Sequence, residues 1–371
     1  MQVYRRGDTG PAVEEIRSTL AALNLLSGER EAFDDATDLA VRAFQQQRGV
    51  TVDGLVGPET YAALQAARLS LGDRILLHVH GRLLGGDDVA ALQERLLELG
   101  FDAGRVDSLF GDRTEQALVR FQREYGLVSD GVCGPATLRA LKQLGRLVTG
   151  GRPQAMRESE ALHRSGVSLA GKVVVVDPGH GGSDRGATGH GLHESALVMD
   201  LASRLEGRLT AVGVQALLTR GPDSCPDDTQ RAGLANEARA DLVLSLHMDR
   251  ADSPACHGVA TYHYGASSGG TSTVGEQLAG LVQRELVART DLLDCRTHAK
   301  SWNLLRLTVM PAVRVELGYL SNAGDAARLV DPAFRNTVAE ALLVAVQRLF
   351  LPVDLDPPTG VMRLPDLAHL A

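Results

Sequence analysis

Four side chains able to bind a metal ion or transfer protons lie beside predicted strands or helices in the second half of the chain. His180 follows four consecutive valines and a Pro-Gly turn, His247 ends a second apolar run, and Glu194 precedes a helix with a leucine at every fourth position. Two imidazoles, one carboxylate and an open fourth position make up a catalytic zinc site. Glu316, near the end of another predicted strand, is a carboxylate that could accept a proton from water bound to such an ion. Together the four residues indicate a catalytic metal site.

Each of these residues also has a structural explanation. A histidine after a strand is more often a hydrogen-bonded core or rim residue than a metal ligand, and Glu194 could serve only to favour the positive end of the following helix. The histidine turn could be an ordinary tight turn, because Gly179, Gly181 and Gly182 permit backbone conformations that other residues avoid. Spacing does not decide between these alternatives, because ligands brought together by tertiary structure have no short-range pattern.

The elements that would position these residues alternate between strands and helices from Leu169 onward. This alternation predicts an α/β domain with a largely parallel sheet, and such sheets bind ligands outside the carboxyl ends of their strands. The predicted strands lie at 173–176, 214–219, 242–246, 259–264 and 313–317. The predicted helices carry the leucines of 197–209 and span 229–240, 274–287 and 334–350.

An internal repeat fills the region before this domain. Residues of the first copy recur at a constant offset in the second: Phe44-Gln45, Asp53-Gly54 and Gly57-Pro58 return as Phe121-Gln122, Asp130-Gly131 and Gly134-Pro135. Each copy predicts three short helices, and the third begins at the proline, which suits a first helical turn. The predicted fold class is therefore two small all-α three-helix domains followed by an α/β domain.

Composition excludes several classes of protein. A chain of 371 residues predicts two or three domains, and a formal net charge of -8 argues against nucleic-acid binding, which needs a basic face. No apolar run approaches the roughly 20 residues of a membrane span. The four cysteines form no C-x-x-C pair and fit a reducing compartment. The amino terminus lacks the apolar stretch of a secretory signal, so we expect a cytoplasmic location, and action outside the cell would need non-classical export.

The repeated segment resembles a known helical module. The pattern D-G-x-x-G-P-x-T-x-x-x-L after F-Q is similar to the peptidoglycan-binding helical domain found beside many bacterial wall hydrolases. The resemblance covers residues 5–66 and 85–143 and implies a shallow groove for wall glycopeptide. The alternative is that the two repeats now form a protein-docking surface.

The order of segments in the α/β domain resembles the zinc-dependent N-acetylmuramoyl-L-alanine amidases of the amidase-3 class. The segments are D-P-G-H-G-G, a glutamate opening a helix, L-L-T-R, R-x-x-x-A-N, A-D-L-V-L-S-L-H and P-A-V-x-V-E-L-G-Y-L-S-N, within residues 172–350. The resemblance implies that His180, Glu194 and His247 bind Zn2+ and that Glu316 is catalytic. The implied reaction is hydrolysis of the amide between N-acetylmuramic acid and L-alanine, in peptidoglycan or a muropeptide.

Two residues depart from the family pattern. Asp249 stands where the family usually has asparagine, two residues after the third ligand, and adds negative charge near the metal. Arg314 replaces an apolar residue two positions before Glu316, and strand alternation places both on one face. Such an arginine either tunes the base or binds a carboxylate of the substrate.

Other polar residues near the motifs have less specific roles. His190 and His193 flank Glu194, and one of them could touch the substrate or a ligand of the metal. Arg231 and Asn236 match family positions, and we expect them to brace the fold.

The predicted organisation therefore has five parts: two helical domains, a linker at 144–170, a zinc hydrolase domain at 171–350 and a flexible tail at 351–371. The architecture also resembles an actinobacterial group that includes a cytoplasmic regulator of peptidoglycan precursor synthesis. The alternative function is thus a weakly catalytic or non-catalytic regulator with a precursor-synthesis protein as its partner. Because the four site positions are all present, hydrolysis is the preferred prediction.

Overall fold

The computed structural model describes residues 3–28, 32–48, 50–79, 81, 83–144, 158–160, 162, 164, 166–265 and 270–351. The chain divides into two compact units, one formed by Met1–Gln154 with Gly265–Gly270 and the other by Ala155–Tyr264 with Thr271–Ala371. After position 351 the predicted tail lies outside the described residues, as do residues 145–157 of the predicted linker. Among the described residues, no helix has the length and apolar character needed to cross a membrane.

Two groups of three helices form the first unit, as the repeat predicts. The first group holds α1 (Pro11–Ala22), α2 (Asp35–Arg48) and α3 (Pro58–Ala67). The second holds α4 (Asp87–Glu98), α5 (Asp112–Glu124) and α6 (Pro135–Leu144), with one antiparallel pair, β1 (Leu84–Gly85) and β2 (Leu109–Phe110), that the sequence did not indicate. Both third helices begin at proline, and each group buries its own apolar core.

One buried glutamine ties together the repeated segments of each helical group. Gln45 donates from Nε2 to Asp53 Oδ1 at 2.7 Å and to the Leu55 carbonyl at 2.9 Å, while its Oε1 accepts from the Gly54 amide at 2.9 Å. Gln122 makes the equivalent contacts in the second group. The fold alone thus accounts for these residue types, so the motif identifies the helical domain without marking individual ligand contacts.

A six-stranded sheet forms the centre of the second unit. Its strands are β3 (Val173–Pro178), β6 (Gln215–Leu218), β7 (Leu242–Asp249), β8 (Val259–Tyr264), β9 (Asp294–Lys300) and β10 (Ala312–Tyr319), in the order β6-β3-β7-β10-β8-β9. All neighbouring pairs are parallel except β10 with β8. The predicted largely parallel sheet is confirmed. A short hairpin, β4 (Thr188–Gly189) with β5 (Leu192–His193), follows β3.

In the described part of the chain, six helices with defined bounds accompany this sheet. They are α7 (Glu194–Ala211), α8 (Asp228–Glu237), α9 (Thr273–Arg289), α10 (Asn303–Leu307), α11 (Ala323–Val330) and α12 (Pro332–Phe350). The leucines at every fourth position of α7 are buried in one apolar core with the strand residues. Burial of a continuous apolar face against the sheet is what makes α7 recognisable from its sequence.

The sequence missed β9, α10, α11 and the β4–β5 hairpin. β9 lies at the sheet edge and pairs with β8, and its residues D-C-R-T-H-A-K are half-buried or exposed. An edge strand of this kind needs no apolar run, so its pattern resembles a loop. The helices α10 and α11 have five and eight residues, which is too short for a clear helical period.

The sheet topology places the predicted site residues side by side. β3, β7 and β10 are parallel neighbours, so their carboxyl ends lie along one edge of the sheet. His180 comes two residues after β3, while His247 lies in β7 directly beside Glu316 of β10 in the strand register. The side chains of His247 and Glu316 therefore leave the same face of the sheet.

Candidate metal centre and active site

Three of the predicted residues form one cluster of metal-ligating atoms. His180, Glu194 and His247 each offer one nitrogen or oxygen, and these atoms all lie within 4.8 Å of one another. The Glu194 carboxylate lies between the two rings: its Oε2 is 3.1 Å from His180 Nε2 and its Oε1 is 2.8 Å from His247 Nδ1. Two imidazoles and one carboxylate with a further position open match the ligand set of a catalytic zinc ion.

Glu194 is the most buried of the three ligands. It is the first residue of α7, and its oxygens accept hydrogen bonds from the backbone amides of Met248 at 2.9 Å and Ala187 at 2.7 Å. Burial alone would raise the pKa of Glu194, but hydrogen bonds from His180 and His247 outweigh this effect and lower it. The carboxylate therefore stays ionised, as a metal ligand must.

His180 has a carboxylate partner that the sequence did not reveal. Its Nδ1 lies 2.7 Å from Asp184 Oδ2, and Asp184 Oδ1 accepts from the Gly186 amide at 2.9 Å. A proton held on Nδ1 leaves Nε2 free to bind a metal. The hydrogen bond to Glu194 and then that to Asp184 raise the pKa of His180 to about 8. The only sequence signal for Asp184 was an aspartate four residues beyond the histidine in a glycine-rich turn.

Asp177 and Arg231 fix the loop that carries His180. Arg231 donates to Asp177 Oδ1 at 2.6 Å and to the His180 carbonyl at 2.8 Å, and Ser245 Oγ donates to Asp177 Oδ2 at 2.6 Å. Burial alone would raise the pKa of Asp177, but the Arg231 charge and the hydrogen bonds from Ser245 and Thr219 lower it. Arg231 braces the fold, as the sequence predicts.

Asp177→Asn should lower the free energy of unfolding of the second unit by about 3 kcal/mol, because Arg231 would keep a buried, uncompensated charge. Since the folded-state pKa of Asp177 is lowered, its contribution is complete above the unfolded value and is lost as pH falls through the folded value. The deficit should therefore be present at neutral pH and shrink below about pH 4. Urea unfolding at both pH values measures it. The exposed Asp228→Asn is the control, and an equal effect of both variants would contradict the prediction.

Glu316 lies beside the ligand cluster and is paired with Arg314. Arg314 Nε donates to Glu316 Oε1 at 2.8 Å, and Arg314 Nη2 lies 2.6 Å from the same oxygen as an ion pair. Glu316 Oε2 is buried and has no hydrogen-bond partner among the described residues. Glu316 does not belong to the group of ligand atoms, so one oxygen of a fixed carboxylate stays available next to the cluster.

Family models match both halves of the chain. One described as N-acetylmuramoyl-L-alanine amidase matches residues 174–348, and one described as putative peptidoglycan binding domain matches residues 9–64 and 85–141. The N-acetylmuramoyl-L-alanine amidase CwlM of Mycobacterium tuberculosis is 48% identical over an alignment of 381 positions that covers 98% of this chain and 94% of that protein. The chain belongs to the N-acetylmuramoyl-L-alanine amidase family.

Two further relatives of this amidase match its second half. The N-acetylmuramoyl-L-alanine amidase LytC of Bacillus subtilis is 32% identical over 174 positions, which cover 47% of this chain and 34% of that protein. Among solved structures, the amidase AmiC2 of Nostoc punctiforme is 31% identical with a TM-score of 0.45, over 48% of this chain and 96% of that one.

The remaining predicted site residues of this amidase lie around the cluster and outside it. Asp249 is the last residue of β7, and its Oδ1 accepts from the Arg250 amide at 2.7 Å. Burial, followed by the charges of Glu316 and Asp249, raises the pKa of Tyr262 to about 12, so both carboxylates act on the same side chain. Their substrate roles, like that of Arg314, stay predictions.

His193 borders a cavity of about 640 Å³ whose lining does not include the three candidate ligands. It precedes Glu194 at the start of α7, and its Nε2 lies 3.5 Å from Arg185 Nη1. His190 and Arg250 also line this cavity. The structure thus places both flanking histidines on the same open space, while a substrate contact by either stays a prediction.

Two glycines of this amidase make room for the ligands. A methyl group at Gly179 would overlap the His247 ring, and one at Gly186 would overlap Glu194 Oε2 and the His180 ring. Gly186 also has a φ of 65°, which favours glycine. Sequence analysis explains Gly179 only by the conformational freedom of its backbone in the turn, whereas the structure shows that it lies directly against the His247 ring.

Gly179→Ala should weaken zinc binding by about 10- to 100-fold, the range seen when the surroundings of a ligand are disturbed. The added methyl group would displace His247, since the ring lies in buried surroundings with β3 on one side. Competition with a chromophoric chelator measures the affinity. The control is Gly207→Ala in α7, where an added methyl group meets no atom. Equal zinc affinity of Gly179→Ala and Gly207→Ala would show that His247 can move without loss.

Proposed function

We propose that this amidase uses one zinc ion to hydrolyse the amide that joins the lactyl group of N-acetylmuramic acid to L-alanine of the peptidoglycan stem peptide. The observation that supports it most directly is the convergence of His180, Glu194 and His247 with Glu316 as their neighbour on β10. Membership of the amidase family supplies the substrate class.

His180, Glu194 and His247 would hold the ion, and their surroundings suit that task. The carboxylate is ionised, and Asp184 orients His180 so that Nε2 faces the cluster. When bound, zinc supplies Lewis acidity toward the amide carbonyl and lowers the pKa of the attacking water. These residues therefore provide a rigid frame that needs little rearrangement.

Glu316 would move the proton. Its free oxygen, Oε2, accepts a proton as water attacks the carbonyl carbon, and Glu316 then passes that proton to the amide nitrogen. The carbon–oxygen bond forms and the carbon–nitrogen bond breaks. The products are the lactyl carboxylate and the ammonium group of L-alanine, whose nitrogen ends with both protons of the one water consumed for each amide cleaved.

The helical repeats would bind the wall polymer. Their match to a putative peptidoglycan binding domain supports this role. Tethering the catalytic domain to a repetitive polymer raises the local concentration of scissile amides without new contacts at the active site. Peptidoglycan is therefore both the substrate and the anchoring partner in this proposal.

The regulatory alternative is not favoured. A protein without catalytic activity has no chemical need for a paired His180, a buried ionised Glu194 and a Glu316 oxygen left without a partner among the described residues. A partner in precursor synthesis stays a prediction from the sequence alone.

The test is metal analysis and muropeptide cleavage on one sample of the purified chain. We expect roughly one zinc per chain and release of free stem peptide from both polymer and soluble muropeptide. Zinc without cleavage of either substrate would contradict the proposed reaction while leaving the metal site intact. Cleavage that survives removal of zinc by a chelator would contradict the role of the metal.

A further inference from the structure

We propose that Arg314, stacked on Trp302, is a positioning residue that fixes one oxygen of Glu316 so that the other faces the reacting water. The inference rests on the proposed function. It goes beyond that function because it assigns a task to an arginine at a position where the family usually has an apolar residue, and to a tryptophan outside the motifs.

The first observation is how Arg314 contacts the Glu316 carboxylate. Its Nε donates to Glu316 Oε1 at 2.8 Å, and its Nη2 lies 2.6 Å from the same oxygen as an ion pair. A planar guanidinium that places two nitrogens against one oxygen restricts rotation of the carboxylate more than a single contact would. Its charge also compensates the charge of a carboxylate that is only 8% exposed.

The second observation is that Arg314 is itself held in place. Its guanidinium lies over the Trp302 ring at 4.6 Å from the centroid, within the range of a cation–π interaction. The Trp302 ring lies 4.7 Å from the ring of Tyr262, and Tyr262 is the register partner of Arg314 on β8. Trp302 therefore packs against both the guanidinium of Arg314 and the ring of Tyr262, the residue paired with Arg314 on β8.

The third observation is that the two oxygens of Glu316 have different contacts. Oε1 contacts Nε and Nη2 of Arg314, while Oε2 is buried and has no hydrogen-bond partner among the described residues. Native proteins seldom leave a buried carboxylate oxygen without a partner except where function requires it. Glu316 adjoins His247 in the register, so this free oxygen belongs to the residue next to a candidate metal ligand.

These observations decide between the two roles that the sequence allowed for Arg314. The edge of the guanidinium that carries Nε and Nη2 already contacts Glu316 Oε1, so this edge is not open to a substrate carboxylate. An arginine that holds Glu316 needs a fixed plane, and Trp302 provides it. The geometry thus assigns Arg314 to the enzyme's own base.

The contact can be tested without any catalytic assay, because Trp302 is the one tryptophan in the sequence. Tryptophan fluorescence of the full chain therefore reports on this ring alone. Arg314→Leu should shift the emission maximum and change its intensity, and Glu316→Gln should cause a smaller change by loosening Arg314. Arg328→Leu, which removes the surface pair with Asp291, is the control and should leave the spectrum unchanged.

The positioning role is tested by kinetics on the zinc-loaded chain. Arg314→Leu should lower kcat by about 10- to 100-fold, the effect expected for loss of an orienting contact, with KM within about twofold and zinc content unchanged. Arg314→Lys should recover only part of kcat, because a lysine cannot place two donors in a fixed plane. Guanidinium added at millimolar concentration should partly restore Arg314→Leu and not affect Arg328→Leu.

The outcomes separate this inference from the proposed function. An unchanged Trp302 spectrum in Arg314→Leu overturns the inference whether or not the chain is active. An active wild type with equal or higher kcat in Arg314→Leu also overturns it, a higher kcat meaning that the arginine restrains the base. A wild type that shows the contact but cleaves nothing overturns the proposed function, and the positioning role with it.

Discussion

Glu316→Gln should retain its zinc and lose hydrolysis by a factor of about 10² to 10⁴, the usual contribution of a general base. The two results are separable because Glu316 lies outside the ligand cluster of His180, Glu194 and His247. Glutamine has nearly the same shape, so Arg314 keeps an oxygen partner at the position of Oε1. The variant therefore removes proton acceptance and weakens the contact with Arg314 without abolishing it.

The measurement combines zinc content with the initial rate of muropeptide cleavage. Glu276→Gln in the first turn of α9 is the matched control, because this glutamate is exposed. It should cleave at the wild-type rate. If Glu316→Gln keeps the wild-type rate as well, Glu316 is not the base, and another carboxylate near the cluster, first Asp249 or Asp184, must accept the proton.

The sequence predicted the parts of the site that depend on regular strands. Runs such as the valines of β3 and residues 242–246 of β7 are buried on both faces of the sheet, and burial of this kind leaves a clear apolar pattern. Parallel strands bring their carboxyl ends to one edge, so the residues that follow such runs become neighbours. This is why the sequence alone predicts that His180, His247 and Glu316 are neighbours.

The parts that the sequence missed depend on contacts between distant segments. Asp184 contacts His180 across the turn after β3, in which His180 has a φ of 57°. No pattern in the residues predicts that angle. Trp302 lies directly before α10, a helix that the sequence did not predict, and its ring contacts Arg314 of β10. Side-chain contacts of this type carry no periodic signal, because neither partner has to recur along the chain.

Gly179 is a further example of a contact between distant segments that the sequence does not show. Its residue type was visible and its turn was predicted, but the reason for glycine is the His247 ring on the neighbouring strand. The exclusion of a side chain is a property of two strands in register. The sequence contains both Gly179 and His247, but it does not show the register that brings them into contact.

His247→Ala should abolish zinc retention and, with it, hydrolysis. Removing this imidazole leaves one histidine and one carboxylate, too few for a stable zinc site, and it takes away the partner of Glu194 Oε1 at 2.8 Å. After dialysis against a weak chelator we expect stoichiometric zinc in the wild type and almost none in the variant. His257→Ala, at an exposed histidine, controls for loss of a surface imidazole and should keep its zinc.

One other group of described residues could hold an ion, and it provides a second variant for this test. His78, Asp112 and Glu115 lie together in the second helical group, where the side chain of Asp112 is 77% exposed. Mostly exposed acidic ligands bind zinc weakly because water competes for the ion, so His78→Ala should keep the wild-type zinc content. Zinc that survives His247→Ala but is lost in His78→Ala would place the ion in the helical repeats and leave the hydrolase site without its metal. The pair of variants therefore locates the ion as well as detecting it.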